Sequence, residues 1–428
     1  MKLAKRLWLI LGPIFIAMLG VVTLLFWPGN YGQSRQDNVE KAAVSLSPNV
    51  FKGNLLKSAA FNEDYVPFIG SSELSRMDPF HPSVLAAKYR RDYQPFLLGS
   101  AGTQSLTHFF SLQTAGKELN GKKVVVIVSP QWFVWNGIQR GMFSYYYSNL
   151  QTNNFLEHAK PSDPMAQYAA TRLLQLPSGS SNSTLTEAII RIKAGVPLTQ
   201  FQKTYLRLSE RLYDHEDSLF SQLFLRDNRP TIAKGEETLP SQYDPWVLDD
   251  LATQMGKGET TNNKFGIQNK FYNDRVKPVV GKLKDTQIGF DYDYGPEFSD
   301  FQLLLDFFSR HNITPLFVIP PVNGKWAEYT GLRQEMLDQF DRKIQYQLRT
   351  QGFTHIDDMI DEGNQPYFMQ DTIHLGWRGW LAMDNSVRPF LENKQTTPKY
   401  KINDDFYTKA WQDKEPRLIP DMRGGKSN

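Results

Sequence analysis

From about residue 63 the chain alternates short, nearly continuous apolar runs with longer stretches in which apolar residues return every three or four positions. The short runs are Val66 to Gly70, Pro95 to Gly99, Lys123 to Val128, Ile313 to Pro320 and His355 to Met359. Most are too uniformly apolar for a strand with one wet face, so they predict strands buried on both sides. Such strands form a parallel sheet between helical layers, a three-layer α/β/α arrangement. The periodic stretches supply the helices. Met336, Phe340 and Ile344 recur at four-residue spacing ahead of Gly352, a helix stop, and Phe301 to Phe308 has the apolar density of a well-buried helix.

Residues from about 150 to 295 interrupt this rhythm and predict a mostly helical insertion. Ser162-Asp163-Pro164 starts a helix over Met165 to Leu176 that Pro177 ends. Phe201, Tyr205, Leu208 and Leu212 form one helical stripe, read as core packing. Gly256 to Lys264 reads as a loop bordering a site. The polar segment 28–62 reads as a tether, 63–392 as the folded domain, and 393–428 as a solvated tail.

The N-terminal pattern is different. Lys2, Lys5 and Arg6 precede an uninterrupted apolar run over 7–27, whose 21 residues would span about 30 Å as a helix. A cleaved signal peptide is the alternative, but the run is longer than an ordinary signal core and Phe26-Trp27-Pro28-Gly29 has no small-x-small cleavage site. The expectation is a retained transmembrane anchor, with residues 1–6 cytoplasmic and the domain outside.

Composition narrows the chemistry. Lys and Arg total 48 against 45 Asp and Glu, a net charge of +3, too small and too dispersed for a nucleic-acid footprint, although an anionic polymer can still meet a local basic patch. There is no cysteine, which removes disulfides, thiolate nucleophiles and cysteine metal sites.

Two short motifs at opposite ends of the strand pattern carry candidate chemistry. Val66 to Gly70 runs into Ser71-Ser72-Glu73-Leu74, which presents a serine where a strand ends. Asp371-Thr-Ile-His374 follows the last run and sets a carboxylate three residues ahead of an imidazole. A serine hydroxyl needs a base within hydrogen-bond reach, and the base needs a third group to orient it. Loops at the carboxyl ends of parallel strands converge on one edge, so Ser72, His374 and Asp371 can meet there. Each motif alone is weak, since Gly-Ser-Ser is common in turns and Asp-x-x-His pairs are often only caps. A metal reading of Asp371 and His374 would need further ligands in register, and no HExxH-like helix supplies them.

Phe68-Ile-Gly-Ser-Ser-Glu-Leu-Ser75, Asp78-Pro-Phe80, Ser129-Pro-Gln-Trp-Phe133, Asn263-Lys-Phe-Gly-Ile267 and Asp371-x-x-His-x-Gly-Trp377 together resemble the DltD family of D-alanyl-lipoteichoic acid biosynthesis proteins of Gram-positive bacteria. The likeness covers nearly the whole chain. It implies an extracellular domain similar to SGNH-type hydrolases, on a flavodoxin-like sheet. The Gly-Asp-Ser of that fold falls on Gly70-Ser71-Ser72, which makes Ser72 the nucleophile and leaves Ser71 in the aspartate place. Oxyanion donors would come from the Ser72 amide, from Gly99 or Gly102 and from Gln131, which stands where SGNH enzymes have asparagine. Ser71, Glu73, Trp132, Asn263, Lys264 and Trp377 fall among the motif residues expected to face substrate. The resemblance further implies D-alanyl transfer to lipoteichoic acid outside the cell, alongside the membrane-bound O-acyltransferase DltB, with D-alanine relayed from the D-alanyl carrier protein. It implies no metal and no cofactor. An esterase that hydrolyses D-alanyl esters and a non-catalytic scaffold for the acyltransferase are the competing classes.

The anchor expectation has a direct check. Protease added to wall-stripped intact cells should digest the domain, whereas a domain spared until lysis would place it on the other side.

Overall fold

A computed structural model describes residues 3–26, 35–180 and 182–424. Five parallel strands, β1 (Tyr65–Ile69), β2 (Gln94–Leu98), β3 (Lys123–Ile127), β4 (Thr314–Ile319) and β5 (Ile356–Asp358), form one sheet in the order β2-β1-β3-β4-β5. The four longer strands lie within one residue of the apolar runs that predict them. Phe68, Ile69, Val124, Val125, Val126, Phe317, Val318 and Ile319 are all fully buried, as a sheet covered on both faces requires. The doubly wound order leaves β1 with β2 on one side and β3 on the other. A switch point therefore opens at the carboxyl ends of β1 and β3, where open α/β sheets place their ligands.

The flanking helices follow the periodicity. Helix Glu297–Arg310 is buried along nearly all its length, and helix Gln334–Arg349 turns Met336, Phe340 and Ile344 inward. Gly352 follows at φ +91, a backbone conformation open to glycine. Among the described residues no strand lies between Ile127 and Thr314; helices fill the interval, including Pro164–Gln175, which Asp163 caps.

Four expectations need correction. Within the segment read as a tether, helices Gln36–Ser45, Pro48–Lys52 and Leu55–Phe61 bury Val39, Ala42, Phe51, Leu56 and Phe61 in the main core; residues 28–34 lie outside the described residues. The segment packs because its apolar residues share one face, and Phe61 meets Phe96 of β2 edge to face at 5.2 Å. The stripe on helix Gln200–Phe220 is rotated by about one residue: Gln202 and Leu206 are buried, while Phe201 and Leu208 are 71% and 55% exposed. Gln202 turns in, and its side chain closes a capping box with Thr199. Helix Pro245–Glu259 extends through the glycines at 256 and 258, so the loop begins only at Thr260. The tail folds back on the domain through buried Phe406 and Trp411, and Trp411 Nε1 donates to Gln347 Oε1 at 3.2 Å.

Leu3–Phe26 is a 24-residue helix. Its described side chains from Leu7 to Val22 are mostly exposed. Among the described residues no helix is long and apolar enough to cross a membrane, and Trp27, the last residue of the expected anchor, lies outside them.

Candidate active site

β1 ends at Ile69, and the chain turns through Gly70 and Ser71 into a 3-10 turn, Ser72–Ser75. The turn is tightly held from below. The Gly70 carbonyl accepts from Thr103 Oγ1 and His108 Nε2, both at 2.8 Å, and the Ser71 hydroxyl donates to the Ser100 carbonyl at 3.1 Å. Gly99 has φ +150, and a Cβ there would fall 2.1 Å from the Gly70 carbonyl oxygen, so glycine is what lets the loop after β2 lie against this turn. Ser72, as first residue of the 3-10 turn, carries an amide of the kind that a helix start leaves without an internal partner.

His374 arrives from the other side of the sheet. After β5 a long loop runs back over β4 and is pinned at several backbone points: Gln370 N–H to the His374 carbonyl, Asn323 N–H to the Thr372 carbonyl, Gln268 N–H to the Gln370 carbonyl, and a bridge between Met369 and Leu375. These bonds bring together residues about 300 apart in the chain. Ser72 Oγ lies 2.8 Å from His374 Nε2, and His374 Nδ1 lies 2.8 and 2.9 Å from the two Asp371 oxygens. Because a carboxylate only accepts, Nδ1 carries the proton toward Asp371 and leaves Nε2 to accept from the Ser72 hydroxyl.

Asp371 is 1% exposed. Burial by itself raises its carboxyl. The charge and hydrogen bond of His374, the Arg76 guanidinium at 2.9 Å and the Ile373 amide at 3.0 Å outweigh it and hold the group below the ordinary carboxylate value. Arg76 also lies over the Phe271 ring at 5.5 Å. Nothing in the spacing of the sequence singles out Arg76; its partner is 295 residues away.

The motif around Asp78 has a similar role in positioning. Asp78 is buried, and its two oxygens accept from the Phe80 amide at 2.8 Å and the Trp377 amide at 2.7 Å. Trp380 Nε1 returns a bond to the Arg76 carbonyl at 3.2 Å. The turn after Ser72 is thereby stitched to the start of helix Trp377–Glu392, immediately after His374.

The remaining candidates divide. Glu73 is buried beneath the turn; Oε1 accepts from the Ser71 amide at 2.6 Å, Oε2 has no hydrogen-bond partner among the described residues, and burial raises the carboxyl above its usual value. Gln131 is half-buried at the end of β3, with no side-chain hydrogen bond among the described residues. Gly102, at φ +83, packs against Met142. Trp132 and Trp377 are buried rather than walls of an open site: Trp132 stacks toward His108, and Trp377 is 0% exposed. Asn263 spends its side chain on its own turn, accepting from the amides of Phe265 and Ile267, and Lys264 is exposed above the Tyr329 ring.

A serine, a histidine and a buried aspartate thus lie in one hydrogen-bonded line at the switch point of a doubly wound parallel sheet, in an α/β protein. The comparisons with known proteins are more specific. The chain is 52% identical over 412 residues to Protein DltD of Lacticaseibacillus rhamnosus, covering 96% of this chain and 97% of that one. It is 32% identical over 395 residues to Protein DltD of Bacillus subtilis (90% and 98%) and 28% identical over 400 residues to that of Staphylococcus aureus (89% and 96%). The family model described as DltD protein matches residues 43–392, and the chain belongs to the DltD family.

Burial pushes the Asp78 carboxyl up to about 7, against the pull of the Phe80 and Trp377 amides. A carboxyl raised in the folded state holds its proton more tightly folded than unfolded. Its contribution to stability is therefore complete at acid pH and is lost as pH climbs from about 4 to about 7. Asp78→Asn lacks that titration, so the gap in urea-unfolding stability between wild type and variant should narrow across this window. A gap independent of pH would contradict the assignment.

Proposed function

We propose that this protein transfers D-alanyl groups to teichoic acid through a seryl ester on Ser72, outside the membrane and anchored by residues 7–27. The observation that supports it best is the unbroken line from Ser72 Oγ through His374 to Asp371, closed behind by Arg76. In the first half-reaction His374 Nε2 takes the Ser72 proton as Oγ attacks the carbonyl of a D-alanyl ester or thioester. The donor's alcohol or thiol departs with that proton, and D-alanine remains on Oγ. In the second, a hydroxyl of the polymer gives its proton to His374 and attacks the seryl ester; the bond to Oγ breaks, and Oγ recovers the proton.

Asp371 holds the imidazole in the required tautomer and stabilises the imidazolium that forms in each half. The amide of Ser72, with Gly99 after β2 and Gln131 after β3 as further donors, would receive the oxyanion. Ser71 does not compete as nucleophile in this scheme, because its hydroxyl is committed to the Ser100 carbonyl. DltB and the D-alanyl carrier protein are the expected upstream partners.

Ser72→Ala, His374→Ala and Asp371→Ala should each remove teichoic-acid D-alanylation by the folded protein, with losses of about 10³-fold or more for Ser72 and His374. The Ser72→Ala/His374→Ala double variant should cost little beyond either alone, since members of a triad act as a unit. D-alanine incorporation retained in Ser72→Ala would rule out the covalent route.

A further inference from the structure

Charge across the chain is nearly balanced, but the segment over 264–284 is not. Lys264, Lys270, Arg275, Lys277, Lys282 and Lys284 oppose a single carboxylate, Asp274. All six cations are exposed, and among the described residues none makes an ion pair. Elsewhere some exposed cations find carboxylates, as in Lys409 with Asp413 and Arg417 with Glu335, and the unpaired ones are not gathered six to a 21-residue segment with one carboxylate. Lys325 adds a further exposed, unpaired ammonium, 3.9 Å from where a Cβ on Gly266 would stand.

This array is held in place. Phe265, Ile267 and Val276 close with Trp326 into a small hydrophobic cluster separate from the main core, joined by Phe271, Tyr272, Val280 and Leu283. The cluster orders the segment and turns its cations outward. The segment is also fastened to the loop that carries the histidine. Gln268 N–H donates to the Gln370 carbonyl at 2.8 Å, Asn323 ties Phe265 to Thr372 by bonds of 3.2 and 3.1 Å, and Arg76, the partner of Asp371, lies over Phe271.

We infer that 264–284 is a docking track for a phosphodiester polyanion, the chemistry of a teichoic acid backbone, and that it holds the polymer's hydroxyls in reach of the seryl ester. A rigid row of unpaired cations presents a positive field to a chain bearing a phosphate on every unit, and effective concentration lets a dilute hydroxyl compete with water for the ester. The inference rests on the acyl-seryl reading for its consequence, but binding of the polymer is measured without any turnover, so the two stand or fall separately.

The test uses the full-length protein in detergent and lipoteichoic acid stripped of its D-alanine by mild base. Binding is compared for wild type, for Lys270→Gln/Arg275→Gln/Lys277→Gln/Lys282→Gln, and for a charge-matched control, Lys117→Gln/Lys203→Gln/Arg226→Gln/Lys234→Gln, drawn from exposed cations elsewhere. At about 50 mM salt the track variant should bind about tenfold or more weakly and the control within about twofold of wild type, with the difference closing near 0.5 M salt as the charges are screened. Hydrolysis of a small uncharged ester should be unchanged in both. Equal loss in the control, undiminished binding in the track variant, or a loss seen only with phosphatidylglycerol vesicles and not with the polymer would each overturn the inference.

Discussion

The carboxylate of Asp371 is a charge taken almost entirely out of water, and the site is organised by what that requires. A buried carboxylate without partners costs several kcal/mol, so the fold must bring donors to it. They come from both ends of the chain: the imidazole and two amides from its own loop, and Arg76 from the turn after β1. Satisfying one anion thus joins the strand that presents Ser72 to the loop that presents His374. Loss of Arg76 or of the imidazole would leave part of that charge unmatched, so Asp371, His374 and Arg76 form one connected unit.

Asp78 repeats the arrangement a turn later with amides as donors. It holds the Trp377 backbone while Trp380 reaches back to the Arg76 carbonyl. Together these contacts hold the loop of Ser72 against the loop of His374, with Ser72 Oγ and His374 Nε2 at 2.8 Å. The Gly70–Gly99 contact does the same work on the opposite flank, through close backbone approach.

The sheet and the proximity of Ser72, His374 and Asp371 are legible in the sequence because both leave local signatures. Strands buried on two faces read as unbroken apolar runs, and Asp-x-x-His is compact enough to fold on itself. Arg76 and the role of Asp78 were not legible, since their partners lie about 300 residues away and no spacing rule connects them. The helical insertion is legible as well, but on helix Gln200–Phe220 it is Gln202 and Leu206 that are buried while Phe201 and Leu208 point outward. Trp377 stands three residues past His374, yet the helix it begins turns its ring into the core. Segment 36–61 is as apolar as the rest of the chain, and most of its apolar residues are in the core; 393–424 is polar by average yet buries Phe406 and Trp411.

The central claim is that Ser72 carries the D-alanyl group. Intact-protein mass spectrometry of the full chain after brief incubation with a D-alanyl thioester, quenched in acid, tests it most directly. The account predicts a mass increase of one D-alanyl residue, mapped to the peptide containing Ser72, absent in Ser72→Ala and discharged on addition of teichoic acid. An adduct that persists in Ser72→Ala, or polymer D-alanylation by wild type with no adduct formed at any time, would contradict it.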